Sequence, residues 1–206
     1  MSTDSVDMDF AAFVRLVLDA LEAAGVTYMI GGAVGVWAWG DVRTTRDVDL
    51  VVELPFESVV ALSRELEKRE MLVPIEVIVD LMIEHRGDLP INAIHLRTGY
   101  KAELFLLRSG DIYRATALSR RRLVNLGLPL GEVYVHAPED LILYKLQYFA
   151  LSQQPKHIRD IAGIAVAMED QLDEPYLETW VEQLGLDETW HEVQRQISLL
   201  KGSDLK

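Results

Sequence analysis

Cysteine is absent from the sequence. Its absence excludes a disulfide framework, thiolate metal sites, iron–sulfur clusters and cysteine nucleophiles, and it disfavours a small secreted fold. Positive charge is scarce, with 20 Lys and Arg against 33 Asp and Glu and a formal net charge of −13. A protein that binds nucleic acid through its overall field needs a clustered basic surface, so any polyanion must meet a local patch here. The densest arginine group is Arg114 with Arg120, Arg121 and Arg122. Such a run reads first as a solvated helix face and second as a binding site. Long apolar runs are missing too, since every candidate is broken by Asp, Arg or Gly before the roughly 20 residues a membrane span requires. The start of the chain, Met1 to Asp9, is acidic where a signal peptide is basic and then apolar. These features lead us to expect a soluble, cytoplasmic protein with no membrane partner. His85, His95, His136, His157 and His191 lack the spacing of zinc ligands. Neither Gly-x-x-x-x-Gly-Lys-Ser/Thr nor Gly-x-Ser-x-Gly occurs.

What is present suffices for a substantial core, because a chain of 206 residues buries roughly 70% of the surface its unfolded form exposes. Phe10, Phe13, Val14, Val17, Leu18 and Leu21 recur at helical spacing, and Gly25 stops that helix. Tyr28 to Ile30 reads as a short buried strand running into Gly31-Gly32, followed by a short helix from Ala33 to Trp39 that Gly40 ends. Asp47 to Glu53 is a second strand, ended by Pro55. Helices are expected at about Ser58 to Arg69 and Ile75 to His85, a hairpin over Ile91 to Leu107 turning at Thr98-Gly99, and a strand at Val133 to Val135. From Pro138 the pattern is helical, with further helices over Ile158 to Met168, Tyr176 to Leu184 and Thr189 to Leu200. The expected architecture is α/β (α+β): a mixed sheet flanked by helices over residues 1–136, then a helical region over 137–206 packed on it.

The chemistry concentrates between Gly31 and Leu50. Asp47 and Asp49 are two apart at the mouth of an apolar strand, so strand alternation points both carboxylates to one side. Two converging carboxylates repel unless a cation lies between them. A hard, oxygen-binding ion such as Mg²⁺ suits them, its shell completed by water and substrate phosphates. Gly31-Gly32, between a strand and a helix N-terminus, offers backbone amides to the same region as a phosphate cradle. Each signal alone is weak, because Gly-Gly is usually a turn and Asp-x-Asp usually a solvated pair. Together, within twenty residues, they match what metal-assisted phosphoryl chemistry requires.

Gly31-Gly32 followed by Gly40-x-x-Arg43-x-Thr45-x-Asp47-x-Asp49-Leu50 resembles the signature of the nucleotidyltransferase superfamily, and more closely its AbiEii-like bacterial branch. The resemblance implies that Gly31 and Gly32 hold the nucleotide phosphates and that Asp47 and Asp49 bind two Mg²⁺ ions. It further implies that a third acid on a later strand, here Glu103 in Lys101-Ala-Glu-Leu-Phe-Leu-Leu107, completes the site. The superfamily usually has Asp there, so Glu103 is a departure. Ala137-Pro-Glu-Asp-Leu-Ile-Leu-Tyr-Lys145 and Arg159-Asp160 are similar to later elements of the family. On that likeness Lys145 faces the triphosphate, with Asp160 positioning it or Arg159; the alternative is an ordinary interhelical ion pair between Lys145 and Asp160. Arg43 and Thr45 either position substrate or, for Arg43, pair with Asp41 to fix the loop. Of Trp37 and Trp39, one is expected in the core and the other over a base or a neighbouring element.

The implied activity is transfer of a nucleoside monophosphate from a nucleoside triphosphate to a hydroxyl acceptor: an RNA 3′ end, a protein side chain or a small molecule such as an aminoglycoside. The AbiEii-like likeness also implies a toxin role with a cognate antitoxin. Two rivals stand beside this reading. A dinucleotide-binding oxidoreductase wants Gly-x-Gly-x-x-Gly and an acid at the far end of the second strand, and the glycines here lack that spacing. A catalytically reduced nucleotide-binding or scaffold protein with the same fold draws on Glu103.

Overall fold

A computed structural model of the chain describes residues 8–84 and 88–203; the acidic first seven residues and His85 lie outside them. Helix α1, Phe10–Ala23, opens at Asp9, whose carboxylate accepts the Ala12 amide at 2.7 Å, satisfying one of the helix's orphan donors. Its apolar stripe, Phe13, Val14, Val17, Leu18 and Leu21, is fully buried. Gly25, at φ +68°, lets the chain reverse into β1, Thr27–Ile30. Helix α2, Gly32–Val36, and strand β2, Asp47–Glu53, follow. After a 3₁₀ turn at Phe56–Ser58 come α3, Val59–Glu67, and α4, Ile75–Ile83. Strands β3, Ile91–Ile94, and β4, Lys101–Leu106, form the expected hairpin, with Gly99 at φ +68° in its connection. Helix α5, Ile112–Arg120, leads into β5, Arg122–Asn125, and β6, Glu132–Val135, follows.

The sheet has six strands in the order β3-β4-β2-β1-β6-β5. It is mixed: β2 runs parallel to β4 and β1 parallel to β6, while the other neighbours are antiparallel. Alternation sorts its faces. Val48, Leu50 and Val52 of β2 and Ala102, Leu104 and Leu106 of β4 join α1 and α3 in the main core. The opposite face carries Asp47, Asp49 and Val51 on β2 and Lys101, Glu103 and Phe105 on β4.

The helical region comprises α6, Pro138–Ser152, α7, Pro155–Ala167, α8, Glu174–Gln183, and α9, Asp187–Ser203. It has its own core around Leu141, Leu146, Ile161 and Val193, to which Val36 of α2 and Tyr113 contribute. Gly40 lies at a close approach between the two regions: a Cβ there would lie 3.3 Å from the Ile164 amide nitrogen and 3.4 Å from the Gly163 carbonyl carbon. Among the described residues, no helix is long and apolar enough to cross a membrane.

Three expectations are corrected. Helix α2 ends at Val36 rather than at Trp39; Trp37 packs on the main core and Trp39 also against the neighbouring helical region, in line with the expectation for the pair, and their indole N–H groups donate to the carbonyls of Arg43 at 3.1 Å and of His136 at 2.8 Å. Helix α5 and strand β5 stand where the sequence reading bounded no element and saw only a solvated helix face. Of the four arginines there, Arg122 is exposed, and the other three form neither a phosphate patch nor a solvated face. Arg114 is buried and clasps Asp88 through two bonds of 2.9 and 2.6 Å. Arg120 reaches Glu139 at 3.1 Å, Asp140 at 3.5 Å and Asp173 at 3.7 Å, and lies over the Tyr176 ring. Arg121 covers Tyr134. The acidic excess of the chain supplies most of the partners that turn these guanidinium groups inward.

Candidate active site

The parallel register of β2 with β4 sets Asp47 opposite Lys101 and Asp49 opposite Glu103. All four side chains share the sheet face turned away from the main core. Asp47 is exposed at the strand mouth, while Asp49 and Glu103 are half-buried. Burial, then the neighbouring Glu103 charge and a hydrogen bond to it, push the Asp49 carboxyl up to about 6. Two carboxylates sharing a site cannot both ionise at ordinary cost.

Asp49 also lies against the glycine turn. Gly32 has φ +55°, and a Cβ there would stand 1.7 Å from Asp49 Oδ2. Only glycine satisfies both the left-handed backbone and the approach of that carboxylate. The Gly31 amide is already used, donating to the Asp49 carbonyl at 2.8 Å. The turn therefore offers the first-turn amides of α2, from Gly32 and Ala33, which have no intrahelical acceptor.

The helical region closes the far side of a cleft of about 880 Å³. Lys145 of α6 and Asp160 of α7 are both buried and pair at 2.8 Å. Arg43 joins them, its guanidinium 3.3 Å from Asp160, so its partner is Asp160 rather than Asp41. Arg159 is exposed. The sequence left open whether Lys145 and Asp160 form an ordinary ion pair or serve a substrate; the pair exists, and Lys145 lines the cleft. Burial holds Lys145 below its ordinary value, with Asp160 and more weakly Asp49 pulling it back up. Thr45 Oγ accepts the Asp47 amide at 3.3 Å and donates to the Asp47 carbonyl at 3.0 Å, fixing the entry to β2.

Several cleft residues were not singled out from the sequence. Lys101 bonds Glu103 at 2.7 Å and lies 3.7 Å from Asp47. Its signal was the Lys-x-Glu alternation on β4, matching Asp-x-Asp on β2. His136 is buried, its Nδ1 donating to the Ile30 carbonyl at 3.0 Å, and burial lowers it to about 4. A Gly31 Cβ would meet its ring at 3.0 Å. Tyr148 and His157 stack at 5.9 Å on the α6–α7 hairpin and border the cleft, as does Asp88, the partner of Arg114, which the sequence did single out.

A divalent cation fits this donor set. Asp47, Asp49 and Glu103 offer hard oxygen ligands, and the upward shift of Asp49 shows that the positive charge near that residue does not offset its burial and its Glu103 neighbour. The three carboxylates are not yet gathered on one point: among the described residues, no group of three His, Asp or Glu is arranged to hold a metal ion. Glu103 is engaged by Lys101 as well as by Asp49.

No protein-family model and no curated protein matches the sequence. Solved structures do match. The solution structure of the antibiotic-resistance factor ANT(2'')-Ia superposes with a TM-score of 0.57 at 15% identity, covering 88% of this chain and 96% of that one. The crystal structure of ANT(2'')-Ia in complex with adenylyl-2''-tobramycin gives 0.57 at 16% identity, over 87% and 98%. An antigenic nucleotidyltransferase-like protein from Paracoccidioides brasiliensis gives 0.50 at 18% identity, over 88% and 92%. At such identities the likeness is one of architecture, and it extends over nearly the whole of each chain: a mixed six-stranded sheet with a helical region behind it, the nucleotidyltransferase-like fold.

Proposed function

We propose that this chain is a magnesium-dependent nucleotidyltransferase, transferring a nucleoside monophosphate from a nucleoside triphosphate to a hydroxyl acceptor. The observation that carries the reading is the pairing of Asp49 with Glu103 across β2 and β4, directly against Gly32. A structural protein has no need of two adjacent half-buried carboxylates pressed on a glycine turn.

Asp47, Asp49 and Glu103 would hold the magnesium, two ions by family resemblance. Bound there, it would neutralise phosphate charge and make the acceptor hydroxyl more acidic. The first-turn amides of α2 receive phosphate oxygens. Lys145, kept in place by Asp160, supplies a point charge toward the triphosphate, and Arg43 a second cation beside it. Glu103 takes the acceptor's proton. The remaining contribution is positioning, on which phosphoryl transfer chiefly depends.

For the acceptor, a small hydroxylated molecule is favoured over an RNA 3′ end. Arg114, Arg120 and Arg121, the arginines nearest to forming a phosphate-binding surface, are engaged with Asp88, with Glu139 and Asp140, and with Tyr134. The ANT(2'')-Ia complex, with its adenylyl group on tobramycin, illustrates a small-molecule adduct on this architecture. A toxin role and a cognate antitoxin rest on the AbiEii-like resemblance alone.

The test is magnesium-dependent release of pyrophosphate from ATP, CTP, GTP and UTP, supplied in turn with aminoglycosides, a small-molecule extract and total RNA. Release with a small hydroxylated acceptor is the expected result. Nucleotide binding without release under every condition would place the chain with the catalytically reduced binding proteins.

A further inference from the structure

Strand register sets Lys101 on the face that carries the carboxylates. It stands opposite Asp47, Glu103 stands opposite Asp49, and alternation puts all four on one face. The ammonium lies 2.7 Å from Glu103 Oε1 and 3.7 Å from Asp47 Oδ1. It lies at the strand mouth against Asp47 and Glu103, two of the three carboxylates expected to gather metal. Lys101 is also only partly exposed, at 31% of its side chain, so its charge is not fully screened by water.

We infer that Lys101 is a built-in cation that takes the place of one of the two metal ions, so that the nucleotide-free protein binds a single divalent ion at this site. The inference rests on the proposed nucleotidyltransferase reading and refines it. Counted over the face, Asp47, Asp49 and Glu103 carry three negative charges and Lys101 returns one. One divalent ion balances the remainder. A second would have to share Glu103 and Asp47 with an ammonium already beside them, and like charges at that separation repel strongly in a partly dehydrated site. The single ion belongs on the Asp49 side, because Lys101 is bonded to Glu103 and lies beside Asp47, whereas Asp49 has no salt bridge to a lysine among the described residues. An alternative role, in which Lys101 reaches for a nucleotide phosphate, predicts a different dependence: its loss would weaken nucleotide affinity and leave metal binding alone.

The probe is Mn²⁺, counted by electron paramagnetic resonance of the free ion in titrations of the full chain without nucleotide. Wild type, Lys101→Met and Lys101→Arg are compared, with thermal melting of each to verify folding. The expected result is one bound ion for wild type and for Lys101→Arg. Lys101→Met should bind two, or bind the first about tenfold more tightly, as loss of a neighbouring like charge requires. Equal stoichiometry and affinity in wild type and Lys101→Met overturns the inference. If wild type binds two ions and releases pyrophosphate, the role of Lys101 falls while the enzyme reading stands. If neither protein binds Mn²⁺ and neither releases pyrophosphate, both fall.

Discussion

Replacing Asp49 by asparagine should make this protein more stable and inactive. In the folded state the Asp49 carboxyl titrates at about 6, against 3.8 when unperturbed, because it is buried beside Glu103. That difference corresponds to up to about 3 kcal/mol. The sign follows from proton binding. The folded protein holds the Asp49 proton more tightly than the unfolded chain does, so folding is favoured below the unfolded value and penalised above it. The penalty is absent below about pH 4, grows between about 4 and 6, and is complete at neutral pH. The asparagine carries no charge at any pH, and its amide can still donate to Glu103. At pH 7.5 in chelator, Asp49→Asn should therefore melt higher than wild type. At roughly 2–4 °C per kcal/mol for a chain of this size, the rise is about 6–12 °C. At pH 4 the two should converge. Magnesium should narrow the gap at pH 7.5 by stabilising wild type alone. Calorimetry between pH 4 and 8, with EDTA and then with Mg²⁺, reads all three features. A variant that melts no higher than wild type at pH 7.5, or whose advantage persists at pH 4, would refute the argument from buried like charge.

The glycine turn yields a comparison of matched backbones. Gly32→Ala and Gly99→Ala both force a side chain into the left-handed region, at a cost of about 1–2 kcal/mol, but only at Gly32 does the new Cβ collide with Asp49; nothing lies within 4 Å at Gly99. A lower melting temperature in both variants, further lowered in Gly32→Ala, with loss of nucleotide binding in Gly32→Ala alone, is expected from a melt beside a calorimetric titration, and equal binding by the two variants would remove Gly32 from the site. Glu103→Gln should keep the fold and lose turnover by roughly 10²- to 10⁴-fold if the carboxylate acts as the base, measured as pyrophosphate release at saturating Mg²⁺; wild-type rates in the variant would end that assignment. Arg120→Met should destabilise by about 3 kcal/mol, because it strips the cation from buried Glu139 and Asp140; urea unfolding reads the loss, and a change under about 1 kcal/mol would show that the cluster is satisfied without it.

The part of this molecule that the sequence disclosed is the part governed by local period. Alternation along Asp47 to Glu53 separates Val48, Leu50 and Val52 from Asp47 and Asp49, and the structure keeps that separation, with the apolar set in the main core and both carboxylates on the other face. The same holds on β4 for Leu104 and Glu103. Helix α5 was illegible for the opposite reason. Its buried stripe is Tyr113, Arg114, Ala117 and Leu118, and an arginine within the stripe breaks the apolar period that would have announced a helix. Arg114 is tolerated inside only because Asp88, the Leu106 carbonyl and the Tyr144 hydroxyl converge on it, and no local rule foretells that convergence.

Charge partners are the hardest thing to read in one dimension, and in this site they decide the chemistry. Arg43 has Asp41 two residues away, yet it pairs with Asp160; Asp160 has Arg159 beside it, yet it takes Arg43 and Lys145. Lys101 finds Asp47 through a strand register that only the closed sheet defines. These groups lie outside the apolar clusters themselves, one around the sheet and α1, one around α6 and α7, and a small one of Met29, Val51, Ala117 and Leu118. Apolar burial within those clusters supplies the folding free energy, so the site is free to hold groups whose mutual placement is costly. Asp49 carries that cost as a carboxyl displaced well above its ordinary range. On the proposed reading, a cation entering beside it would relieve that cost.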